Sequence, residues 1–235
     1  MFLATLIDHA ALLAVVLLLA GTIVNLIRTR QVGQYPLPFA FYVCSVVSTL
    51  ALASHSTLGW MTRGEYTRLY WSYEFVEQGF ALSLMVVVVR LAVANEKSTA
   101  VLSQGMASIA VVLMAGFLTE SMPSYSSRWM TGFTRNLSFG VALMNFQVWG
   151  LLLSKRVRKR EILLLAAGLG LLTTGKSLGH TIRIVASPGG WAFILGNYTV
   201  VATGVAAAFA WWSAFRPRKQ KPVPARAEIH LVKAA

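Results

Sequence analysis

Charged residues and cysteine are scarce in this sequence, and each shortage excludes a class of protein. Charged side chains make up 12% of the 235 residues and hydrophobic ones 56%, which is too apolar for an ordinary soluble domain. Cys44 is the single cysteine and lies in an apolar run, so neither an internal disulfide nor a thiolate metal cluster is expected. The sequence also lacks a nucleophile elbow, a metalloprotease histidine pair, a phosphate-binding loop and a dinucleotide fingerprint, and no enzymatic activity is therefore expected.

Long apolar runs are the main feature that the sequence does contain. A membrane-spanning helix needs about 20 residues that are mostly apolar, and seven runs reach that length. They cover residues 4–27, 37–60, 71–94, 100–119, 132–154, 161–185 and 190–215. The sequence therefore predicts an all-α membrane protein, a seven-transmembrane-helix bundle over residues 1–215. Residues 216–235 form a tail with proline and many basic side chains, which we expect to be disordered and to contact anionic lipid headgroups.

The distribution of lysine and arginine predicts the orientation of the bundle. If the N-terminus is outside, 15 of the 21 basic residues fall in cytoplasmic loops and the tail, five fall outside, and Lys176 lies in the membrane. This bias follows the positive-inside rule, and the opposite orientation would invert it. We therefore expect a multi-pass protein of the cell inner (cytoplasmic) membrane with a cytoplasmic C-terminus. The same loops and tail explain the net charge of +13, so nucleic acid is not an expected partner.

The stretch from Thr173 to Arg183 places ionisable side chains inside the sixth predicted span. Lys176, His180 and Arg183 follow one another at spacings of four and three residues, so they share one helical face. A charged side chain at the bilayer centre costs about 2.5–3.5 kcal/mol on insertion scales, which makes an intramembrane lysine a functional-site hypothesis. At the helical rise, His180 and Lys176 lie about 10 and 16 Å from the outer end of the span.

Two glutamates of the third predicted span are the candidates to counter this lysine. Glu74 and Glu77 lie in the outer half of the bundle, as His180 and Lys176 do, and we expect both to face Lys176 while His180 tunes the protonation of the pair. The predicted site opens as a polar pocket toward the outer face, between spans two, three, six and seven. It also includes two residues of the seventh span, Asn197 and Tyr198. A structural brace stays open as the alternative, although buried ion pairs roughly break even against apolar replacements.

Two histidines on different spans suggest a cofactor instead. His55 in the second span and His180 in the sixth lie toward the same predicted face of the membrane. Neutral imidazole is a common ligand for haem iron and for other metal ions. The sequence therefore leaves open a haem b or metal site at these two residues.

A short motif marks the second and third spans. Tyr70 and Trp71 are followed by Glu74, and Pro38 and Phe39 stand at the entry to the second span. In these residues the chain resembles uncharacterised bacterial seven-helix integral membrane proteins, with Tyr-Trp-x-x-Glu at the start of helix three, and the resemblance implies no activity. The chain also resembles the microbial rhodopsins in its seven spans and its carboxylate-bearing third helix. That family attaches retinal to a lysine on helix seven, where this chain has none, so retinal is not expected.

Small residues spaced by four predict where helices approach closely. They occur at Ser45, Thr49 and Ala53 in the second span, at Gly175 and Gly179 in the sixth, and at Gly204 and Ala208 in the seventh. We expect these faces to pack against neighbouring helices.

These features lead to three functional hypotheses. The leading one is a non-enzymatic binding or sensing protein, or a membrane subunit of a larger complex, with an outward-facing polar pocket. The second is a transporter of a small solute or of protons with a three-one-three helix organisation, although the inner half of the bundle carries few ionisable groups. The third is a redox membrane subunit that carries haem through His55 and His180.

Overall fold

The computed structural model describes residues 2–92, 100, 104–105, 127–187 and 189–217. Within these residues the chain forms six helices, which we number in chain order. They are α1 (Phe2–Arg28), α2 (Pro36–Leu58), α3 (Arg63–Ala92), α4 (Ser127–Ser154), α5 (Arg160–Val185) and α6 (Trp191–Phe215). The fourth predicted span, 100–119, lies outside the described residues except at three positions, so α4, α5 and α6 correspond to the fifth, sixth and seventh predicted spans. The predicted tail, 216–235, is described only at its first two residues.

Five of the six helices are long and apolar enough to cross a membrane. The candidate spans are His9–Arg28, Pro36–His55, Thr131–Ser154, Arg160–Val185 and Trp191–Phe215. α3 is not among them, and its sequence includes Glu74, Glu77 and Arg90. The described chain is thus all-helical and consistent with a membrane protein, as predicted, while the seventh span and the orientation stay predictions.

The predicted start of the third span differs most from the structure. It was placed at residue 71, whereas α3 begins at Arg63. Thr62 and Glu65 form a capping box there. The Glu65 carboxylate accepts hydrogen bonds from the Thr62 backbone N–H and hydroxyl, both at 2.8 Å, and the Glu65 N–H donates to the Thr62 hydroxyl at 3.3 Å. The first two bonds hold the pKa of Glu65 below its usual value because they stabilise the carboxylate. Glu74 therefore lies well inside α3 and not at its start.

Each helix packs against the next numbered helix along the chain, and α3 packs against α4 although undescribed residues separate them in sequence. α1 also packs against α6, and α3 makes a further contact with α5. The contact between α5 and α6 is the most extensive. α5 therefore has neighbours on three sides, which allows it to bury polar side chains.

The loops after α1 and α4 share one backbone conformation. Each contains an arginine with a positive φ, Arg30 at 55° and Arg156 at 49°, in the left-handed region that usually favours glycine. In both loops the N–H of the following residue donates to the carbonyl five residues earlier, at 2.9 and 3.0 Å. The two three-helix groups, α1–α3 and α4–α6, thus each begin with a helix that ends in a Schellman-type turn.

Aromatic side chains fill the core where α2 begins and α6 ends. Phe41 and Tyr42 pack against Trp211, with both ring-centroid distances at 5.4 Å. The Trp211 indole N–H donates to the Leu165 carbonyl at 3.4 Å, and Gly168 of α5 leaves the space that the indole occupies. The first half of α5 is therefore packed by aromatic groups, and its second half carries the ionisable side chains.

Candidate functional site

Lys176 of α5 is paired with two carboxylates of α3. Its Nζ lies 2.8 Å from Glu74 Oε2 and 2.6 Å from Glu77 Oε2, and it donates a hydrogen bond to each. The side chains are only 6–7% exposed, so the contact is buried. The predicted contact between the third and sixth spans is therefore confirmed. We refer to these three residues as the ionic triad.

Helical spacing explains why two carboxylates reach one ammonium. Glu74 and Glu77 are three residues apart and share a face of α3. Lys176 lies on a face of α5 that also buries Thr173 and His180, and α3 packs directly against this helix. When all three groups of the triad are ionised, they carry one net negative charge.

His180 lies one turn beyond Lys176 on the same face of α5. The residue is 1% exposed, and neither ring nitrogen has a hydrogen-bond partner in the described part of the chain. Glu74, Lys176 and Arg183 are the charged groups that act on it electrostatically. The structure thus brings His180 to the ionic triad, and its predicted role in tuning the triad's protonation stays a prediction.

Arg183 belongs to this cluster, although the count of basic residues places it outside the membrane. Its guanidinium interacts electrostatically with the Tyr70 side chain, and its Cζ lies 5.3 Å from the centre of the Phe193 ring. The spacing of Arg183 from Lys176 could have identified it, because residues seven apart share a helical face. Tyr70 could likewise have been found, since it precedes Glu74 by four residues.

Tyr73 is a second tyrosine that was not predicted as part of the site. It precedes Glu77 by four residues and interacts electrostatically with Glu77 and Lys176. Ser45, a buried residue of α2, lies next to the same tyrosine. The predicted small-residue face of the second span therefore reaches the site at Ser45.

Polar side chains continue from the triad toward the other end of the bundle. The Gln78 amide donates to the Ser138 hydroxyl of α4 at 2.9 Å. Further along, the Asn145 amide donates to the Ala166 carbonyl of α5 at 2.9 Å. Ala166 precedes His180 by 14 residues, so buried polar groups extend over about 21 Å of α5. Among the described residues, polar groups therefore extend further along α5 than expected, while the nearly bare inner half stays a prediction.

Gly175 and Gly179 form the other contact of this part of α5, with α6. A Cβ at Gly175 would collide with Thr203, and a Cβ at Gly179 would lie 2.6 Å from the Gly196 carbonyl oxygen. The predicted close packing at both glycines is confirmed. At Gly204 no side chain or neighbouring helix among the described residues comes within 4 Å of a Cβ built there, so close packing at that residue stays a prediction. We refer to the contact at Gly175, Gly179 and Gly196 as the glycine seam.

Asn197 and Tyr198 lie apart from the ionic triad. Asn197 is exposed and Tyr198 is half-buried. Gly196 is the residue of this turn that faces α5. Among the described residues the structure shows no hydrogen bond from Asn197 or Tyr198 to the triad, so their part in binding stays a prediction.

His55, the second candidate metal or haem ligand, is half-buried near the end of α2. Its ring stacks on Tyr66, with centroids 4.8 Å apart. Both nitrogens of His180 and Nδ1 of His55 have no hydrogen-bond partner among the described residues, and the Tyr66 ring covers a face of His55 rather than its nitrogens. No group of three histidine, cysteine or acidic residues in the described ranges is arranged to hold a metal ion. The haem hypothesis stays a prediction, and an absorption spectrum of the purified chain tests it because haem is coloured.

Comparison with known proteins adds no relative to this description. No protein-family model, curated protein or solved structure matches the chain. The resemblance to bacterial seven-helix proteins therefore stays a prediction, and the function is argued from the geometry of the site.

Proposed function

We propose that this chain is a non-enzymatic binding or sensing protein of the cell inner membrane, in which the ionic triad holds one exchangeable proton. The fourth apolar run completes a seven-helix bundle whose N-terminus is outside and whose basic tail contacts anionic headgroups in the cytoplasm. The chain acts alone or as a membrane subunit of a larger complex. Two buried carboxylates that share one lysine ammonium, at 2.8 and 2.6 Å, are the observation that carries this proposal.

Charge balance favours a proton in the triad. Buried charges are tolerated when they are paired, and the triad has two acids for one base. The charged groups that act on Glu77 are Lys176 and Glu74. Two carboxylates that share a site avoid ionising together, and one of them retains a proton. The triad then consists of an ammonium, a carboxylate and a carboxylic acid, and release of the proton changes the charge inside the bundle.

A purely structural brace does not account for this stoichiometry. One acid and one base are sufficient to join two helices, and a second buried carboxylate adds desolvation cost. Arg183, the second cation of the cluster, is not among the charged groups that act on Glu77. Buried ion pairs are also a weak source of stability when compared with apolar residues of similar volume. The second glutamate is therefore better explained by proton binding than by packing.

Infrared spectroscopy of the purified chain tests this proposal, because a protonated carboxyl group absorbs apart from a carboxylate. At neutral pH we expect a carboxyl band that is lost or shifted in Glu74→Gln and in Glu77→Gln. Glu65→Gln is the matched control, since this exposed glutamate accepts two hydrogen bonds as a carboxylate. A wild-type chain with no protonated carboxyl band at neutral pH would contradict the proposal.

Proton-coupled transport of a small solute is the second candidate, and the polar groups along α5 favour it. They extend from His180 to the carbonyl that Asn145 binds, over about 21 Å. The matching turns after α1 and α4 fit a three-one-three organisation. Uptake into proteoliposomes that is driven by a pH gradient and abolished by Glu77→Gln, but not by Glu65→Gln, would support transport. Equal uptake by wild type and Glu77→Gln would contradict it.

A further inference from the structure

His180 has two ring nitrogens that no described residue satisfies. A neutral histidine donates at one nitrogen and accepts at the other, and buried polar atoms are nearly always hydrogen-bonded. His180 is 1% exposed and yet has no partner at Nδ1 or at Nε2 among the described residues. Both nitrogens are therefore available to exchange protons with neighbouring groups.

The position of His180 along α5 lies between the ionic triad and the end of the helix. Lys176 precedes it by four residues and Val185, the last residue of α5, follows by five. At the helical rise these spacings correspond to about 6 and 7.5 Å along the axis. Arg183 lies beyond it toward the same end and interacts electrostatically with Tyr70 of α3.

We propose that His180 carries protons between the carboxylates of the ionic triad and the solution at the Val185 end of α5. The carboxylic acid of the triad gives its proton to the unprotonated ring nitrogen, and the other ring nitrogen releases its own proton toward the helix end. The ring thus returns to a neutral tautomer, and the triad is left with two carboxylates. A bridging water completes the hydrogen bonds on either side.

The surroundings of His180 suit transfer of a proton rather than its storage. The charged groups that act on the ring come from α3 and α5, and they are Glu74, Lys176 and Arg183. α6 presents Gly196 and Val200 at this level, and neither titrates. Arg135, near the start of α4, is bonded to Asn136 instead. A ring that passes a proton on without keeping a charge fits a cluster that already contains two cations.

This relay rests on the proposed function, since it requires a triad that exchanges a proton. Time-resolved infrared spectroscopy after a pH jump, on the full chain in lipid nanodiscs, measures the amount of bound proton separately from its exchange rate. In His180→Gln we expect the triad's carboxyl band to persist and its exchange to slow about 100-fold, the lower end of the usual contribution of a general acid–base group. His9→Gln, at an exposed position of α1, is the matched control and should leave the rate unchanged.

A second variant separates relay from structure. In His180→Ala, added imidazole should restore fast exchange, which a merely structural role would not produce. Unchanged exchange in His180→Gln, with the carboxyl band still present, would overturn the relay and leave the proposed function standing. A wild-type chain without the band would overturn the proposed function itself. If His180→Gln does not fold, failure of imidazole to accelerate exchange in His180→Ala overturns the relay.

Discussion

Gly175 and Lys176 are consecutive residues of α5, and they contact different helices by different means. Toward α6, Gly175 allows so close an approach that Thr203 occupies the space of a Cβ. Toward α3, the Lys176 side chain donates hydrogen bonds of 2.8 and 2.6 Å to Glu74 and Glu77. The glycine seam is held by the shape of the two helices, and the ionic triad is held by charge.

This difference separates a fixed contact from a changeable one. Close packing of small residues does not depend on protonation, and extra volume in such a contact is penalised at once. A buried ion pair is stable only while each charge keeps its partner. α5 and α6 share the most extensive helix contact. If the proposed function is correct, the contact of α3 with α5 is the one that changes when the triad gains or loses a proton.

Removing the ammonium should break the contact with α3 and give the largest effect. Lys176→Met leaves the buried carboxyl groups of Glu74 and Glu77 without their cation, and loss of one partner of a buried pair costs about 3–5 kcal/mol in free energy of unfolding. Chemical unfolding in detergent, followed by tryptophan fluorescence, measures the change. As a control, adding Glu74→Gln and Glu77→Gln to this variant should recover most of the loss. A loss that the two glutamine substitutions do not reduce would show that Lys176 acts by packing.

Filling the glycine seam should give the next largest effect. Gly175→Ala places a Cβ where Thr203 lies, so α6 must shift, and overpacking of this kind costs about 1–3 kcal/mol. Gly204→Ala is the matched control, because no described atom lies within 4 Å of a Cβ there. It should be neutral or stabilising, since alanine exceeds glycine by up to about 1 kcal/mol in helix propensity. The same chemical unfolding experiment measures both variants. Equal losses in free energy of unfolding would contradict the claim that Gly175 is more tightly packed than Gly204.

A neutral hydrogen bond between α3 and α4 sharpens the comparison. Gln78 and Ser138 are buried and joined at 2.9 Å. Ser138→Ala should reduce the free energy of unfolding by about 0.6 kcal/mol, the average for hydrogen bonds between helices in a membrane. Because neither group titrates, this loss should be the same at acid and neutral pH, whereas the loss in Lys176→Met should vary with pH. A pH-dependent loss in Ser138→Ala would mean that the bond is coupled to the triad.

Two kinds of feature were predictable from sequence: helices marked by local apolar runs, and contacts of charged residues whose burial without a partner would cost much free energy. The ends of α1, α2, α5 and α6 lie within two residues of the predicted ones, because apolar runs report directly on helices of this kind. The contact of Lys176 with Glu74 and Glu77 was predictable for a different reason. A charge in the apolar interior needs a partner, and few other charged residues lie at that depth.

Other features depend on how helices rotate against one another, which residue spacing does not fix. Both Gly196 and Gly204 lie on α6, and only the rotation of that helix decides which of them faces α5. Tyr70 and Tyr73 share spacing with the two glutamates, but many tyrosines do so without contact. The early start of α3 is different, because Thr62 and Glu65 carry a recognisable capping-box pattern that the apolar run at 71–94 obscured.

Glu65→Gln in that capping box is expected to have the smallest effect on stability. The contribution of Glu65 to the stability of the first turn of α3 depends on pH, and the direction of this dependence follows from its lowered pKa. The pKa of Glu65 is lowered in the folded chain by its bonds to Thr62. Its stabilisation of the first turn is therefore present above the pKa of the unfolded chain and is lost as the pH falls through the folded pKa. Protection of the first α3 amides from hydrogen exchange, corrected for intrinsic rates, should fall on acidification in wild type. In Glu65→Gln it should not, since glutamine keeps an acceptor but does not titrate.

The same variant distinguishes an exposed charge contact from a buried one. Glu65 precedes Glu74 by nine residues, and its hydrogen bonds end at Thr62, so Glu65→Gln should leave proton exchange at the ionic triad unchanged. An equal fall in protection in Glu65→Gln would show that another group governs the start of α3. Slower proton exchange at the triad in this variant would show that a change at the start of α3 is transmitted along the helix to Glu74 and Glu77. The exposed and the buried contacts of α3 would then not be independent.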